Sequence, residues 1–492
     1  MRRRRVTRRG EGSSGVSPGS ADSPEPPRFS IPLPASHKIR AVLPRLSALP
    51  LALAGLAACG SRSASGAHEG APNVLLISID TLRADHLGFY GYGKSTSPEL
   101  DAFAAGAVVF EHAEASAPWT LPALASVMTG EVVSTHACWN YGSMLDDSFR
   151  TLPELLLAAG YDTACLVSHL FATSRHGLQQ GFVHTDDSFA YPEVDPAENV
   201  TSQVISDRGI RFLDQKKASP DEAPWFLWLH YFDPHKEYMR HPGITEALAT
   251  PGGRTRGTLL GDVYDGEVRY TDLHIGRVLA RLHELGFEQD TVIVLLADHG
   301  EEFEDHGALG HGHSLHVEIV RVPLVIRAPG LAPRRVQELA RQVDVLPTVL
   351  ELAGIPVPPG VAGRSLVPAM HGRARVAVGA LAELDLSGLV FDSWRTQRWR
   401  LIRPGRDGVA QLYDLDADPG ETNDVAAAHP EVAAELAAEL ARAKAAGRER
   451  ARHFGGAREL TLTPGIQQDL EALGYAGADD GNATPEGEDG GR

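Results

Sequence analysis

Residues 73–80 read NVLLISID, and the organisation of the chain turns on them. A short, nearly unbroken apolar run closed by an aspartate fits a strand that is buried on both faces, as in a parallel sheet. Four further runs have the same texture: TACLVS (163–168), WFLWLHYF (225–232), TVIVLLAD (291–298) and VPLVIRA (322–328). Helical patterns lie between them. Residues 262–285 place Val268, Ile275, Leu279, Leu282 and Leu285 near one face, and Gly286 stops that helix. Strands alternating with helices predict an α/β fold: a mostly parallel sheet with helices on both faces.

Beyond about residue 375 the texture changes. QRWRLIRP and AQLYDLDADP read as antiparallel strands, and HPEVAAELAAELARAKAA as a helix with Pro430 at its start. The expected layout is a main domain over 72–374, a smaller C-terminal α+β subdomain over 375–475, and a disordered acidic, Gly-rich tail over 476–492.

The chain has 492 residues and a net charge of −18. Residues 1–59 hold 10 Lys and Arg against 3 acidic residues; the remainder holds 36 against 61, a net of −25. A body so acidic repels nucleic acid and excludes it as a partner. Residues 1–37 are rich in Arg, Ser and Pro. Then LSALPLALAGLAAC follows Arg40 and Arg45, with an apolar run too short to span a bilayer. Its LAAC-Gly60 end resembles a bacterial lipobox. Residues 1–59 are therefore read as an N-terminal extension and lipoprotein signal peptide, Cys59 as the lipidated residue and 60–71 as a tether. This implies export to a bacterial cell envelope, with the membrane met only through the lipid anchor. Two other cysteines remain, Cys138 and Cys165, free or bridged.

Chemistry-bearing residues gather at the strand ends, where open α/β sheets bind ligands. Asp80 ends the first run; Asp298 ends the fourth and His299 follows. Unpaired charge after an apolar strand is costly, and a metal resolves the cost. HGALGHGHSLHVE then supplies His306, His311, His313 and His316 on a Gly-rich loop. His311 and His313 are the candidates for holding substrate oxygens, and His306 and His316 are read as inconsequential surface residues. His235 follows another buried strand, at a place suited to protonating a leaving group. In PWTLPALASVMTG (118–130), Thr120 precedes a helical run, as a helix cap or as a nucleophile.

Taken in order, NVLLISIDTLRADHLGFYGY, TSPELDAFA, PWTLPALASVMTG, YDGEVRYTDLHIGRVLARLHELG, ADHGEEFEDHG, GHGHSL, RVPLVIRAPG and QLYDLDADPGETND resemble the sulfatase family of the alkaline phosphatase superfamily, over roughly residues 72–447. The resemblance implies an alkaline-phosphatase-like fold and an ester hydrolase holding one divalent cation (Zn, Mn, Mg or Ca). The metal ligands it implies are Asp80, Thr120, Asp298 and His299. Thr120 takes the nucleophile position, His235 the family's Pro-His histidine, and His313 the place of an oxyanion-binding lysine.

The departures are chemical. Sulfatases carry Cys or Ser at the nucleophile position, oxidised to formylglycine, and an arginine four residues on; here these are Thr120 and Leu124. Threonine oxidation gives at best a ketone. Thr81 replaces the second metal aspartate, and LVSHLF stands near the place of the Gly-Lys-Trp-His motif. Threonine is the nucleophile in the phosphodiesterase and phosphoglycerol-transferase branches of the superfamily, where a metal activates it, so the resemblance implies a hydrolase or transferase of phosphate esters. The expected substrate is thus an anionic ester, a phosphodiester or phosphonate monoester. The alternatives are a sulfatase working without formylglycine and an inactive glycan-binding lipoprotein.

Overall fold

The computed structural model of the protein describes residues 70–190, 201–220, 222–235, 238–253, 255–374, 379–405, 408–461 and 463. Cys59, the signal peptide, the tether up to residue 69 and the acidic tail lie outside the described residues.

Eight strands form the central sheet: β1 (Asn73–Ile79), β2 (Val108–Phe110), β3 (Asp162–Val167), β4 (His184–Asp186), β5 (Trp225–Tyr231), β6 (Thr291–Ala297), β7 (Leu324–Arg327) and β8 (Arg334–Val336), in the order β8-β2-β7-β6-β1-β5-β3-β4. All five apolar runs of the sequence lie in it. Its pairings are parallel except around β7, which runs antiparallel to β2 and β6. The run VPLVIRA therefore belongs to the sheet but reverses its direction.

β1 is central, between β5 and β6, and Val74, Leu75, Leu76, Ile77 and Ile79 are all buried. Each such side chain contributes roughly 1.5–3 kcal/mol by leaving water, which is why β1 carries no exposed face. Ser78 is the register partner of His230 on β5. Strand alternation puts Ser78 and Asp80 on one face of the sheet, beside His230.

Four helices matter to the site and its frame: α1 (Thr120–Thr129), α2 (Ser202–Ala218), α3 (Arg256–Glu284) and α4 (Pro430–Ala451). Gly130, at φ 70°, ends α1 in the left-handed conformation. α3 begins earlier than its apolar periodicity indicates, because the Thr255 hydroxyl accepts from the amide of Thr258. α2 packs against β5, where Gly209 leaves room for Leu229: a Cβ there meets Leu229 Cδ1 at 3.2 Å.

The C-terminal sheet has four antiparallel strands in sequence order: β9 (Ala380–Leu386), β10 (Leu389–Arg395), β11 (Trp399–Pro404) and β12 (Gln411–Asp414). QRWRLIRP and AQLYDLDADP supply the last two. The first hairpin turns through Ser387 and Gly388, both at positive φ (50° and 82°), a two-residue turn matched to strand twist. Leu384 and Leu386 of β9 join the main core, while Leu436 and Leu440 of α4 pack with Trp394, Leu401 and Leu412. Buried charge ties this sheet to the body. Glu114 takes Arg395 at 2.6 Å and Arg400 at 2.5 Å, and Arg400 also pairs with Glu421.

Cys138 and Cys165 are free and buried, which closes the question of a bridge between them. Among the described residues, no helix is long and apolar enough to cross a membrane.

Candidate active site

The centre is built at the carboxyl ends of β1, β5 and β6. Asp80 follows β1, its amide held by the Tyr231 carbonyl at 2.9 Å. Asp298 follows β6. One oxygen, Oδ1, accepts from the amides of His299 at 2.8 Å and Thr81 at 3.2 Å. The strand end beneath is fixed by Gln342, whose amide nitrogen donates to the carbonyls of Ala297 and Asp298. Thr81 sits at φ 52°, an outlying conformation for a β-branched residue, held where Tyr264 donates its hydroxyl to the Thr81 carbonyl.

His299 has a settled tautomer. Nδ1 donates to the Gly300 carbonyl at 2.9 Å, which turns the Nε2 lone pair inward. Nε2 lies 3.6 Å from Asp80 Oδ1 and from Asp298 Oδ2, and 3.3 Å from Thr120 Oγ1. Thr120 is the first residue of α1, not its cap. Trp119 occupies the cap position and no side chain caps the helix. The Thr120 hydroxyl is directed to His299 instead, which removes the capping role from the two weighed for it.

Sequence reasoning passed over two further histidines. His230, inside the run WFLWLHYF, is wholly buried, with Nε2 3.5 Å from Asp80 Oδ2. His169, inside LVSHLF, follows β3 and brings Nε2 to 3.8 Å from the same oxygen. A histidine in an otherwise apolar buried run was the available signal, since such a ring needs a polar partner. His235 and His311 complete the cluster. The His235 ring lies 5.4 Å from that of His169 and 4.9 Å from that of His311, and His311 lies 4.5 Å from His299.

The Gly-rich loop divides its histidines. His311 is turned to the centre, with Nδ1 on the buried Glu301 carboxylate at 3.2 Å. His313 is half-buried and bonded to Glu302 at 2.8 Å. His306 and His316 are not loose surface rings as expected. They stack 3.8 Å apart and are partly buried, with His306 bonded to Glu318 at 2.9 Å and to the Glu421 carbonyl at 3.0 Å. Leu124, at the position of the family's arginine, lies wholly in the apolar core.

Electrostatics mark the centre as short of positive charge. Burial, and then the neighbouring Asp298, push the Asp80 carboxyl well above its usual range. Burial opposes a charge on His299, but Asp298 and Asp80 outweigh it and raise its pKa. Burial lowers His230 to about 4. Both oxygens of Asp80, Oδ2 of Asp298, Nε2 of His230 and the Thr81 hydroxyl are buried and take part in no hydrogen bond. A pair of carboxylates facing one another with bare oxygens is the environment a divalent cation satisfies. Asp80, His230 and Asp298 offer ligand atoms that all lie within 4.8 Å of one another.

Residues 72–355 match the family described as Sulfatase. The chain belongs to the sulfatase family. It is similar to arylsulfatase K of Bos taurus, 24% identical over 76% of this chain and 82% of the relative, and to choline-sulfatase of Rhizobium meliloti, 26% identical over 73% and 83%. Its fold is that of the phosphonate monoester hydrolase of Agrobacterium radiobacter, with a TM-score of 0.66 at 22% identity over 80% of this chain and 98% of that one. The mostly parallel sheet with its small antiparallel C-terminal sheet is thus the sulfatase and alkaline-phosphatase-like architecture. The protein is an ester hydrolase of that superfamily, whose members of the sulfatase family use a divalent metal.

Proposed function

We propose that this sulfatase-family hydrolase cleaves phosphate esters, phosphodiesters or phosphonate monoesters, with Thr120 as nucleophile. The observation that carries the reading is the Thr120 hydroxyl at 3.3 Å from His299 Nε2, beside the Asp80–Asp298 pair. A threonine cannot become the formylglycine of ordinary sulfatases, and the family's arginine is replaced by core-buried Leu124.

Asp80, Asp298 and His299 would hold the cation, with Thr120 facing it. A divalent cation there supplies positive charge that lowers the pKa of the neighbouring hydroxyl and draws in an anionic ester. The ionised Oγ1 of Thr120 attacks phosphorus, and the bond from phosphorus to the leaving oxygen breaks. His235 gives that oxygen its proton. His311 and His313, on the Gly-rich loop, hold anionic oxygens of the substrate. Water then attacks the phosphorus of the threonine ester, returning a proton to His235 and freeing Thr120. A formylglycine hydrate expels sulfate by breaking its own C–O bond, a route closed to a threonine ester. Attack by water at phosphorus is the route left open.

In the same reading the protein is exported, matured at Cys59 and lipid-anchored in a bacterial envelope. The motive is the basic flank, the apolar run and LAACG.

Steady-state kinetics on matched p-nitrophenyl phosphodiester, phosphonate and sulfate esters test the reaction class, with Thr120→Ala as control. Preference for the phosphorus esters is expected. A Thr120-dependent preference for the sulfate ester identifies a sulfatase working without formylglycine. No turnover of any ester by metal-loaded protein identifies a binding protein.

A further inference from the structure

We propose that His230 is a metal ligand through Nε2, and that it makes the centre a mixed imidazole–carboxylate site selective for a zinc-class transition metal over Ca2+ or Mg2+. The inference rests on the reading that a divalent cation sits between Asp80 and Asp298, and it is independent of which ester is cleaved.

Position comes first. Asp80, His230 and Asp298 are the one triad of potential ligands, among the described residues, whose donor atoms all lie within 4.8 Å of one another. His230 sits on β5, register-paired with Ser78 of β1 at the centre of the sheet. Its ring is therefore aimed by two rigid strands rather than by a loop.

The hydrogen bonds around the ring come second. The Trp228 indole N–H donates to Ser78 Oγ at 2.8 Å, and His230 Nδ1 lies 2.8 Å from the same oxygen. An indole nitrogen only donates, so Ser78 Oγ accepts there, and toward His230 it offers both a lone pair and its own hydrogen. Nε2 is buried and takes part in no hydrogen bond, and a ring bound to a metal through it carries its hydrogen on Nδ1, where the Ser78 lone pair receives it. Metal-binding histidines are oriented in this way, with the distal nitrogen donating to a partner that fixes the ring.

His169 is the internal contrast. The amide of Phe171 donates to its Nδ1 at 3.1 Å, so in the neutral ring the hydrogen sits on Nε2, the atom facing Asp80. The Nδ1 of His169 thus faces a donor, which places its hydrogen on Nε2, whereas the Nδ1 of His230 faces a hydroxyl that accepts its hydrogen when Nε2 binds a metal.

Metal class follows from the donors. With His299 the set is two imidazoles and two carboxylates, and Thr81 stands where a further carboxylate would add oxygen and negative charge. Calcium prefers six to eight oxygens and magnesium an oxygen octahedron that keeps its waters. Imidazole with carboxylate suits zinc and its neighbours.

The test uses the full chain, stripped with a chelator and reloaded. Zinc is expected to bind at one per chain and to resist a large excess of calcium, and Co2+ is expected to give a visible absorption band. His230→Gln is expected to lower zinc affinity about 100-fold or more and to alter the Co2+ spectrum, and Ser78→Ala about 10-fold. X-ray absorption on zinc-loaded wild type is expected to count two imidazoles, a readout that stands even where a variant fails to fold. One imidazole, calcium preference in the wild type, or folded His230→Gln with wild-type zinc affinity overturns the assignment. Wild type that binds no divalent cation overturns the metal reading beneath it, whereas failure of the Thr120 mechanism shows only in the ester kinetics.

Discussion

Thr120 and His299, 179 residues apart in sequence, meet at 3.3 Å in a wholly buried setting. Two local features bring them together. Thr120 stands at the first position of α1, and His299 follows a strand whose last residues are pinned by Gln342. The hydroxyl is thereby directed at His299, whose Nε2 lies against Asp80 and Asp298, rather than spent as a helix cap.

Removing one charge of that pair separates stability from metal binding. Asp298→Asn keeps an acceptor for the amides of Thr81 and His299 but relieves the repulsion that raises Asp80. Melting with and without chelator checks it. The metal-free variant is expected to match or exceed the wild type. The gain on adding metal, about 2.7 kcal/mol for wild type at a hundredfold excess over its dissociation constant, should vanish. An equal gain in both proteins shows that Asp298 is not a ligand.

The C-terminal sheet is held to the body by Glu114, which meets Arg395 and Arg400 in a buried setting. Glu114→Ala leaves two buried guanidinium groups short of a counter-charge. The expected loss is roughly 3–5 kcal/mol in chemical denaturation. A loss below about 1 kcal/mol means that the ion pairs do not fasten this sheet.

His306 sets a pH dependence of stability. The Glu318 hydrogen bond and charge raise its pKa to about 9 from the usual 6.5. A raised folded-state pKa favours the protonated form in the native protein. The contribution is full below pH 6.5 and is lost as pH rises through 9. Wild type is expected to lose more melting temperature between pH 6.5 and 9 than His306→Gln does. Parallel curves for the two proteins remove His306 from the account.

Thiol chemistry reads both the core and the N-terminus. Burial pushes the Cys138 and Cys165 thiols up, and neither is bridged. Native protein is expected to react slowly with a thiol reagent and to show two thiols on denaturation when Cys59 is lipidated. Three thiols in protein purified from membranes, or equal fatty-acid labelling of wild type and Cys59→Ser, overturns the anchor.

The sheet was legible because its strands are buried on both faces and so read as apolar runs. Asp80 and Asp298 were legible because an acid closing such a run is costly without a partner. His230 carried the same kind of signal, a polar ring inside the apolar run WFLWLHYF, but the run reads first as one more strand. Its meaning depends on register against Ser78, which no local pattern encodes. The hairpin β9–β10 had a signal, Ser387-Gly388 between two half-apolar stretches, but strand alternation there is weak. That Trp119 precedes the helix and Thr120 opens it was invisible too, because boundaries shift by a residue with tertiary contacts.

If Thr120 is the nucleophile, the enzyme passes through a phosphothreonine ester. Thr120→Ala is expected to lose three or more powers of ten in kcat, on the scale of other covalent catalysts. Thr120→Ser keeps a hydroxyl at the same position and is expected to retain most of the activity, since only a methyl in a packed pocket is lost. Activity alone does not separate a nucleophile from a residue that orients water, because both variants follow the same order in either case. Acid quenching during turnover of a p-nitrophenyl phosphorus ester does separate them. Mass spectrometry is expected to find a phosphoryl adduct on the peptide carrying Thr120 in wild type, and on the corresponding peptide of the Thr120→Ser variant. Rapid mixing is expected to show a burst of p-nitrophenol matching the enzyme concentration where hydrolysis of the ester is slow. Incorporation of one solvent oxygen-18 into the phosphorus product at the single-turnover stage checks that the threonine ester opens at its P–O bond rather than its C–O bond, and the adduct and burst show that the ester forms. An absent adduct together with an absent burst, in enzyme that turns over and loses activity on Thr120→Ala, assigns Thr120 to positioning water instead.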